Sequence, residues 1–377
     1  MDLLSDIPHY GFWFVVVLTV LVFVHEMGHF AVARLCGVRV EVFSIGFGPE
    51  MIGFTDSKGT RWKLSWLPFG GYVKMFGQED NAIEGDAAKP MTEAELTVSF
   101  REKSLTKRSA IVAAGPIANY LFAIIVLAIL YATIGKPYSP PIVSEVLEDS
   151  AASAAGLLVG DRIVEINGAA IERFEDIREI MLVNLDQPLT ISVRRADQDL
   201  ILHVQPRIVE AEDGIGGVQK MGRIGIKGEL APELTKLGPR QASLAAIEEC
   251  YRISAGILTG LKQMITGARS SEELGGVLRI GKMSGDIAQL GFIALVNFAV
   301  LLSINLGMIN LFPIPLLDGG HLAFYAAEAI RGRPIDARAQ EWGLKIGLAL
   351  VLSLMLFATW NDLVYLKVVD YIRALFA

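Results

Sequence analysis

The pattern His25-Glu26-Met27-Gly28-His29 lies inside an apolar stretch long enough to cross a lipid bilayer. Upstream, Phe12–Val24 has Thr19 as its only polar side chain, and Phe30-Ala31-Val32-Ala33 follows the pattern. In such a stretch every backbone polar group must be satisfied internally, so the segment has to be a helix. Residues four apart share a helix face, which brings the two imidazoles together with Glu26 beside them. An HExxH set of this kind presents two histidines to one zinc and a glutamate as base. Ionisable side chains at membrane depth are costly and point to function.

The remaining composition agrees with a membrane protein. Hydrophobic residues make up 52% and mean hydropathy is +0.45, both high for a water-soluble globular chain. Four stretches qualify as spans: Tyr10–Arg34, Ser109–Gly135, Leu290–Phe312 and Gly343–Tyr365. The net charge of −7 comes without a basic block, which argues against a nucleic-acid partner. The start of the chain carries Asp2 and Asp6 and no Lys or Arg, unlike a cleaved signal peptide, so the first span is expected to be retained.

Lys and Arg near the span ends set the expected orientation. Arg34 and Arg39 follow the first span, Arg101, Lys103, Lys107 and Arg108 precede the second, and Arg331, Arg333 and Arg338 lie between the third and fourth. These connections are expected in the cytosol. The N-terminus, the region from Lys136 to Gln289 and the C-terminus are then outside. Cys36 and Cys250 fall on opposite sides and are not expected to pair.

The membrane halves are read as residues 1–135 and 290–377, with the second span within 109–135 and the fourth at 343–365. A small β-structure is expected at residues 38–76. Here Val38–Phe43 alternates, Gly46-Phe47-Gly48-Pro49 breaks the pattern, and Arg61–Leu67 is strand-like before Pro68-Phe69-Gly70-Gly71-Tyr72-Val73-Lys74-Met75. A plain cytosolic hairpin is one reading. The other is an open strand edge that holds a substrate extended by augmentation, covered at membrane depth by protein or a water-filled cavity.

Residues 139–208 form an α+β domain by pattern. Ile142–Leu147, Arg162–Ile166, Leu189–Val193 and Leu200–Val204 read as strands, Ser150–Ala155 as a helical turn, Phe174–Asn184 as a helix and Asn167-Gly168 as a tight turn. The run AGLLVGDRIVEINGAAI resembles the PDZ signature of bacterial envelope proteases, and such a domain binds a peptide or acts as a steric cover. Residues 209–289 are read as an outer linker, with Ala211–Leu230 extended and Pro239–Gly267 an amphipathic helix. Its stripe Leu244, Ile247, Tyr251, Leu258 and Leu261 is expected to pack on the membrane surface or beneath the PDZ-like domain.

A zinc site needs a third protein ligand and a position for water. His9 and His203 read as surface residues, which leaves the run Asn305–His321 after the third span. His25 lies about 20 Å along the helix from Phe12, in the cytosolic half of a ~30 Å core. The third span runs out on the same side, and Pro313 and Pro315 break it. Asp318 then returns to that layer in an Asp-Gly-Gly turn, where the glycines let backbone approach a metal. His321 is the alternative ligand, and capping a helix from His321 to Ile330 is the alternative role for Asp318.

Taken together, HEMGH, PFGGYVKM, Gly115-Pro116-Ile117-Ala118-Asn119, the PDZ signature and NLFPIPLLDGGH resemble the site-2 protease family, in its bacterial RseP-type branch. The resemblance implies a polytopic α-helical membrane protein of four transmembrane helices, with a membrane-associated β-structure and one inserted α+β PDZ-like domain. It implies Zn2+ held by His25, His29 and Asp318, Glu26 as catalytic base, and Asn305 and Asn310 shaping the substrate site, Asn310 as an oxyanion donor. Implied too are the bacterial cytoplasmic (inner) membrane, an active site toward the cytosol, and regulated intramembrane proteolysis. The expected substrates are single-span membrane proteins, such as an anti-sigma factor trimmed outside by an upstream site-1 protease, or remnant signal peptides. Two departures stand out: one PDZ domain where some relatives carry two, and Val277 in Leu274-Gly275-Gly276-Val277 where many have proline. Two competing functions are a silent PDZ membrane scaffold and a membrane zinc protease of another class, which would take a Glu as third ligand and lack LDGG.

Overall fold

The computed structural model describes residues 6–78, 91–212, 218–228, 233–267, 270–271 and 274–366. The chain divides into two compact units, residues 1–126 with 275–377, and residues 127–274. Four helices among the described residues are long and apolar enough to cross a membrane.

Helix α1 (Ile7–Leu35) contains the whole HExxH pattern. Its 29 residues rise about 44 Å, more than a bilayer core. Strands β1 (Val40–Thr55) and β2 (Arg61–Met75) pair antiparallel, but their register shifts repeatedly. Ser44 faces Tyr72 on one side and Lys63 on the other, while Phe54 faces Trp62. The two strands therefore fold over into a four-segment sheet with Val42–Ile45 inside and Glu50–Thr55 and Gly71–Met75 outermost. Gly46 and Gly70, at φ 86° and 106°, sit at the bends, where a side chain would be strained. Expected here as two short strands around a break, the segment is continuous ladder.

The sheet buries Val40, Phe43, Val73 and Met75 with Phe30 and Ala33 of α1. Its turn is tied to the end of α1, where Arg34 donates to Asp56 at 2.5 Å and to Thr60 Oγ1 at 2.7 Å. After α2 (Glu93–Val98), opened by a Thr92–Glu95 capping box, helix α3 (Leu105–Thr133) carries Pro116 in its interior. A Cβ at Gly28 of α1 would strike the Ala114 carbonyl and the Ala118 side chain. Small residues at that contact let two apolar helices approach closely.

The second unit begins with β3 (Lys136–Tyr138) and β4 (Glu145–Val146), then α4 (Ala151–Ala154), β5 (Arg162–Ile166), β6 (Ala169–Ala170) and α5 (Phe174–Val183). It continues through β7 (Leu189–Arg195), β8 (Gln198–Val204), β9 (Arg207–Glu212), β10 (Val218–Arg223), β11 (Ile226–Lys227) and β12 (Glu233–Thr235) to α6 (Pro239–Ile265). A four-stranded sheet in the order β6-β5-β7-β8 closes over α4 and α5, and β4 pairs with β11. Asn167 and Gly168, both at positive φ, make the β5–β6 turn, as that dipeptide favours. The strand expected over Ile142–Leu147 is only two residues long. The expected extended run of Ala211–Leu230 includes the β9–β10 hairpin, and its residues 213–217 and 229–230 lie outside the described ones.

Helix α6 has two unlike faces. Its buried residues are Ala242, Ala245, Ala246, Cys250 and Gly260, while Leu244, Ile247, Tyr251, Leu258 and Leu261 are exposed. The small-residue face packs within this unit because small side chains permit close approach. The large apolar stripe points outward.

The chain returns with α7 (Val277–Gln289), α8 (Phe292–Leu311), α9 (Asp318–Arg331) and α10 (Ala337–Tyr365). Residues 277–289, read from sequence as the end of a linker, form a helix of the membrane unit. It is fastened by buried Asp362 of α10, which accepts from the backbone N–H of Gly276 at 2.8 Å and of Arg279 at 3.0 Å. A Cβ at Gly307 of α8 would lie 3.0 Å from the Pro116 carbonyl, so α8 meets α3 at its proline.

Candidate metal centre

Three side chains from opposite ends of the membrane unit converge. His25 and His29, one turn apart on α1, present their Nε2 atoms 3.2 Å from each other. Asp318 Oδ2 lies 3.2 Å from His25 Nε2 and 3.5 Å from His29 Nε2. Among the described residues these are the group of His, Cys, Asp or Glu arranged to hold a metal ion. Asp318 Oδ2 is buried without a hydrogen-bond partner among the described residues. Tetrahedral ligands at the ~2.1 Å of a zinc bond stand about 3.4 Å apart, so the donor types and their spacing fit zinc. His29 Nδ1 donates to the Ile111 carbonyl at 2.8 Å, which leaves the Nε2 lone pair free toward the other two atoms.

The local sequence explains how Asp318 gets there. Helix α8 stops at Leu311, Phe312 is extended (φ −64°, ψ 142°), and Pro313 and Pro315 keep the chain from resuming a helix. Leu316 has φ 103°, a strained value for a leucine just before the site. Helix α9 starts at Asp318, with Leu317 as its N-cap. The expected helix start at His321 is thus three residues late, and Asp318 does not cap it. The glycines also have a different use from the expected turn at a metal. A Cβ at Gly319 would strike the carbonyls of Leu311 and Phe312, and one at Gly320 the Ile314 carbonyl. They let α9 press against the end of α8. His321 follows on α9 and stands outside the convergent group.

Glu26 is half-buried on α1, and β2 runs past it: a Cβ at Gly71 would lie 3.2 Å from Glu26 Cγ. Asn305 and Asn310 are partly buried on α8. Five residues apart, they project about 140° from one another around the helix, and among the described residues neither hydrogen-bonds to His25, His29 or Asp318. Two residues of α3 carry more of the site than their bare motif suggested. A Cβ at Gly115 would strike His29 Nε2 and come within 2.8 Å of His25 Cε1. Asn119, fully buried, faces His25 Nδ1 with its amide nitrogen at 3.2 Å. A carboxamide in an apolar span was the available signal.

The sequence pattern of Peptidase family M50 matches residues 13–354. A protein of Agrobacterium fabrum, named as a zinc metalloprotease, is 45% identical over 355 residues, covering 93% of this chain and 94% of its own. One of Rhizobium meliloti with the same kind of name is 44% identical over 374 residues, 97% of this chain and all of its own. Among solved structures, the HtrA3 PDZ domain bound to a phage-derived ligand is similar at 32% identity over 19% of this chain and 66% of that one, with a TM-score of 0.18. A match running from the first span to the last identifies the chain as a member of Peptidase family M50, the site-2 proteases, and so as a membrane zinc metalloprotease.

Proposed function

We propose that this protease cuts single-span membrane proteins within their transmembrane segment. The observation that supports this most is the meeting of two imidazoles on a helix of membrane length with a carboxylate at the start of α9, just past the end of another such helix. His25 and His29 would hold zinc through Nε2, and Asp318 through Oδ2. When bound, zinc supplies a Lewis acid that activates water near neutral pH and polarises a carbonyl. Glu26 takes the proton of the attacking water on its carboxylate and returns it to the leaving amine nitrogen. Asn310 donates from its side-chain amide to the developing oxyanion, and Asn305, on another face of α8, shapes the substrate site from there.

A helical peptide bond is enclosed by its own turns, so the substrate must be unwound and held extended. The outer segment Gly71–Met75 pairs on one side with Val40–Ile45 and passes Glu26. Its other edge, unpaired among the described residues, adds a substrate strand next to the base. Helix-weakening residues in the substrate favour that unwinding.

In the proposed orientation the protein lies in the bacterial inner membrane. Ser57, Lys58 and Arg333 face the cytosol, while the termini and the PDZ-like domain lie outside. The PDZ-like domain then excludes substrates with bulky outer domains, so a first protease must trim them.

The test uses purified protein and a single-span substrate, both full-length and outer-trimmed. Glu26→Gln should keep zinc and lose cleavage, His29→Ala should lose both, and Asn310→Ala should slow cleavage with zinc retained. A His29→Ala protein cutting at the normal rate sinks the metal assignment. Equal rates on both substrate forms sink the exclusion.

A further inference from the structure

Helix α3 meets both imidazoles of the metal centre, but in two different ways. His29 Nδ1 has an acceptor, the Ile111 carbonyl at 2.8 Å. His25 Nδ1 faces instead the amide nitrogen of Asn119 at 3.2 Å. The other end of that carboxamide, Asn119 Oδ1, is buried with no hydrogen-bond partner among the described residues. Asn119 is itself fully buried, and its backbone carbonyl is held by Ser303 Oγ at 3.0 Å. An unsatisfied amide oxygen in such a place costs on the order of 1–3 kcal/mol.

The two oddities have one resolution. In the arrangement observed, Asn119 donates, so His25 Nδ1 accepts and the ring proton sits on Nε2. That is the nitrogen pointing at Asp318 and His29. An imidazole that gives its Nε2 lone pair to a metal carries its proton on Nδ1 and needs an acceptor there. A half-turn of the Asn119 carboxamide about Cβ–Cγ brings Oδ1 to His25 Nδ1 as the acceptor that nitrogen needs, and puts the amide NH2 where Oδ1 had stood. Oxygen and nitrogen of a carboxamide exchange places at almost no steric cost.

We propose that Asn119 is a positioning residue of the metal centre: its amide oxygen accepts the Nδ1–H of His25 and sets the tautomer that ligates zinc. The proposal rests on the reading that His25 binds through Nε2. Asn119 and the Ile111 carbonyl are then the matched acceptors of the two imidazoles, both supplied by α3. Outer partners of this kind contribute about 10–100-fold to metal affinity.

The experiment measures zinc affinity of the purified full chain by competition with a chromophoric chelator, alongside thermal unfolding of the metal-free protein. Asn119→Asp keeps the size and offers only acceptors, so it should bind zinc as tightly as the unaltered chain or more so. Asn119→Ala, and Asn119→Leu with the same branching but no polar atom, should bind about 10–100-fold more weakly. A tenfold or greater loss in Asn119→Asp overturns the proposal without needing the other variants to fold. So does unchanged affinity in Asn119→Ala or Asn119→Leu, or an equal loss in all three. His25→Ala is the control for the underlying reading: if it binds zinc like the unaltered chain, His25 is not a ligand. If it fails while Asn119→Leu binds normally, only the role of Asn119 falls.

Discussion

The PDZ-like domain and the metal centre are built on opposite principles. In the domain, Ile163, Ile166, Leu189, Ile191, Val193 and Val204 are at most 1% exposed. Its one fully buried carboxylate, Asp161, is saturated: Arg195 donates to both oxygens at 2.7 Å and the Leu158 N–H to one at 2.9 Å. This is a core made by removing apolar surface from water. The membrane unit also buries apolar side chains, Phe30, Phe43 and Ile111 among them, but many of its large ones point away. Ile117, Leu121, Ile125 and Ile129, four apart on α3, are all more than half exposed, as a lipid-facing stripe would be. What meets at the centre itself is glycine, imidazole, carboxylate and carboxamide, with an unused polar atom on Asp318 and on Asn119. Lipid supplies no hydrophobic force between helices, so close approach and polar contacts set the geometry. The domain's side chains supply stability, and those of the membrane unit supply position.

If that contrast holds, one added methyl group at the centre should do more to function than a deleted side chain in the domain. Gly115→Ala puts its Cβ against His29 Nε2 and within 2.8 Å of His25 Cε1, where imidazole and backbone have little room to move. Zinc content should fall below half, and cleavage by a hundredfold or more, since one misplaced ligand disturbs the whole set. Metal analysis and initial cleavage rates measure both. A Gly115→Ala protein with full zinc and near-normal rate would mean that the imidazoles are loosely held and the contrast is wrong.

The domain should answer in the other currency. Ile191→Ala removes a fully buried side chain and should destabilise by about 2–5 kcal/mol. Zinc content should stay unchanged. Pulse proteolysis in urea is the suitable measurement, with cleavage scored within residues 139–208. No tryptophan lies between residues 127 and 274, so intrinsic tryptophan fluorescence would report only the membrane unit. Loss of zinc in Ile191→Ala would show that the two units are energetically coupled.

The same contrast explains what was legible in the sequence. Spacing alone placed His25 and His29 on one face with Glu26 beside them, because their geometry is local to a helix. Asp318 was picked out by depth and by an unfilled valence, and the structure brings its carboxylate to the two imidazoles after α8 ends ahead of Pro313. The PDZ-like domain was legible through strand alternation and the Asn-Gly turn. Relations between residues far apart in the chain were not. Gly115 and Asn119 carry no local sign of touching an imidazole, and the cap that Asp362 gives α7 spans more than eighty positions. For the stripe of α6 the sequence left the membrane surface and the underside of the PDZ-like domain both open, because a moment identifies an apolar face without saying what covers it; the alanine face is the buried one.

The smallest effect expected concerns the two cysteines, and it bears on orientation as well. Cys250 sits in the small-residue face of α6 and is 3% exposed. Burial, then the neighbouring Glu249, pushes its thiol up to about 11 from an ordinary value near 9, so its reactive thiolate is roughly a hundredfold scarcer at any pH below that. Cys36 ends α1 and is only half-buried. In permeabilised membranes at pH 8 a thiol reagent should therefore modify Cys36 first, and Cys250 only after denaturant is added. In intact cells an impermeant reagent should modify neither, because the proposed orientation turns Cys36 to the cytosol and Cys250 is shielded. With both cysteines replaced, Asp197→Cys should be labelled and Ser57→Cys spared, since both positions are exposed and the proposed orientation puts them on opposite sides. Labelling at Ser57 alone would reverse the orientation and put the metal centre toward the outer face. Ready labelling of native Cys250 would instead show that the packing of α6 opens on its own.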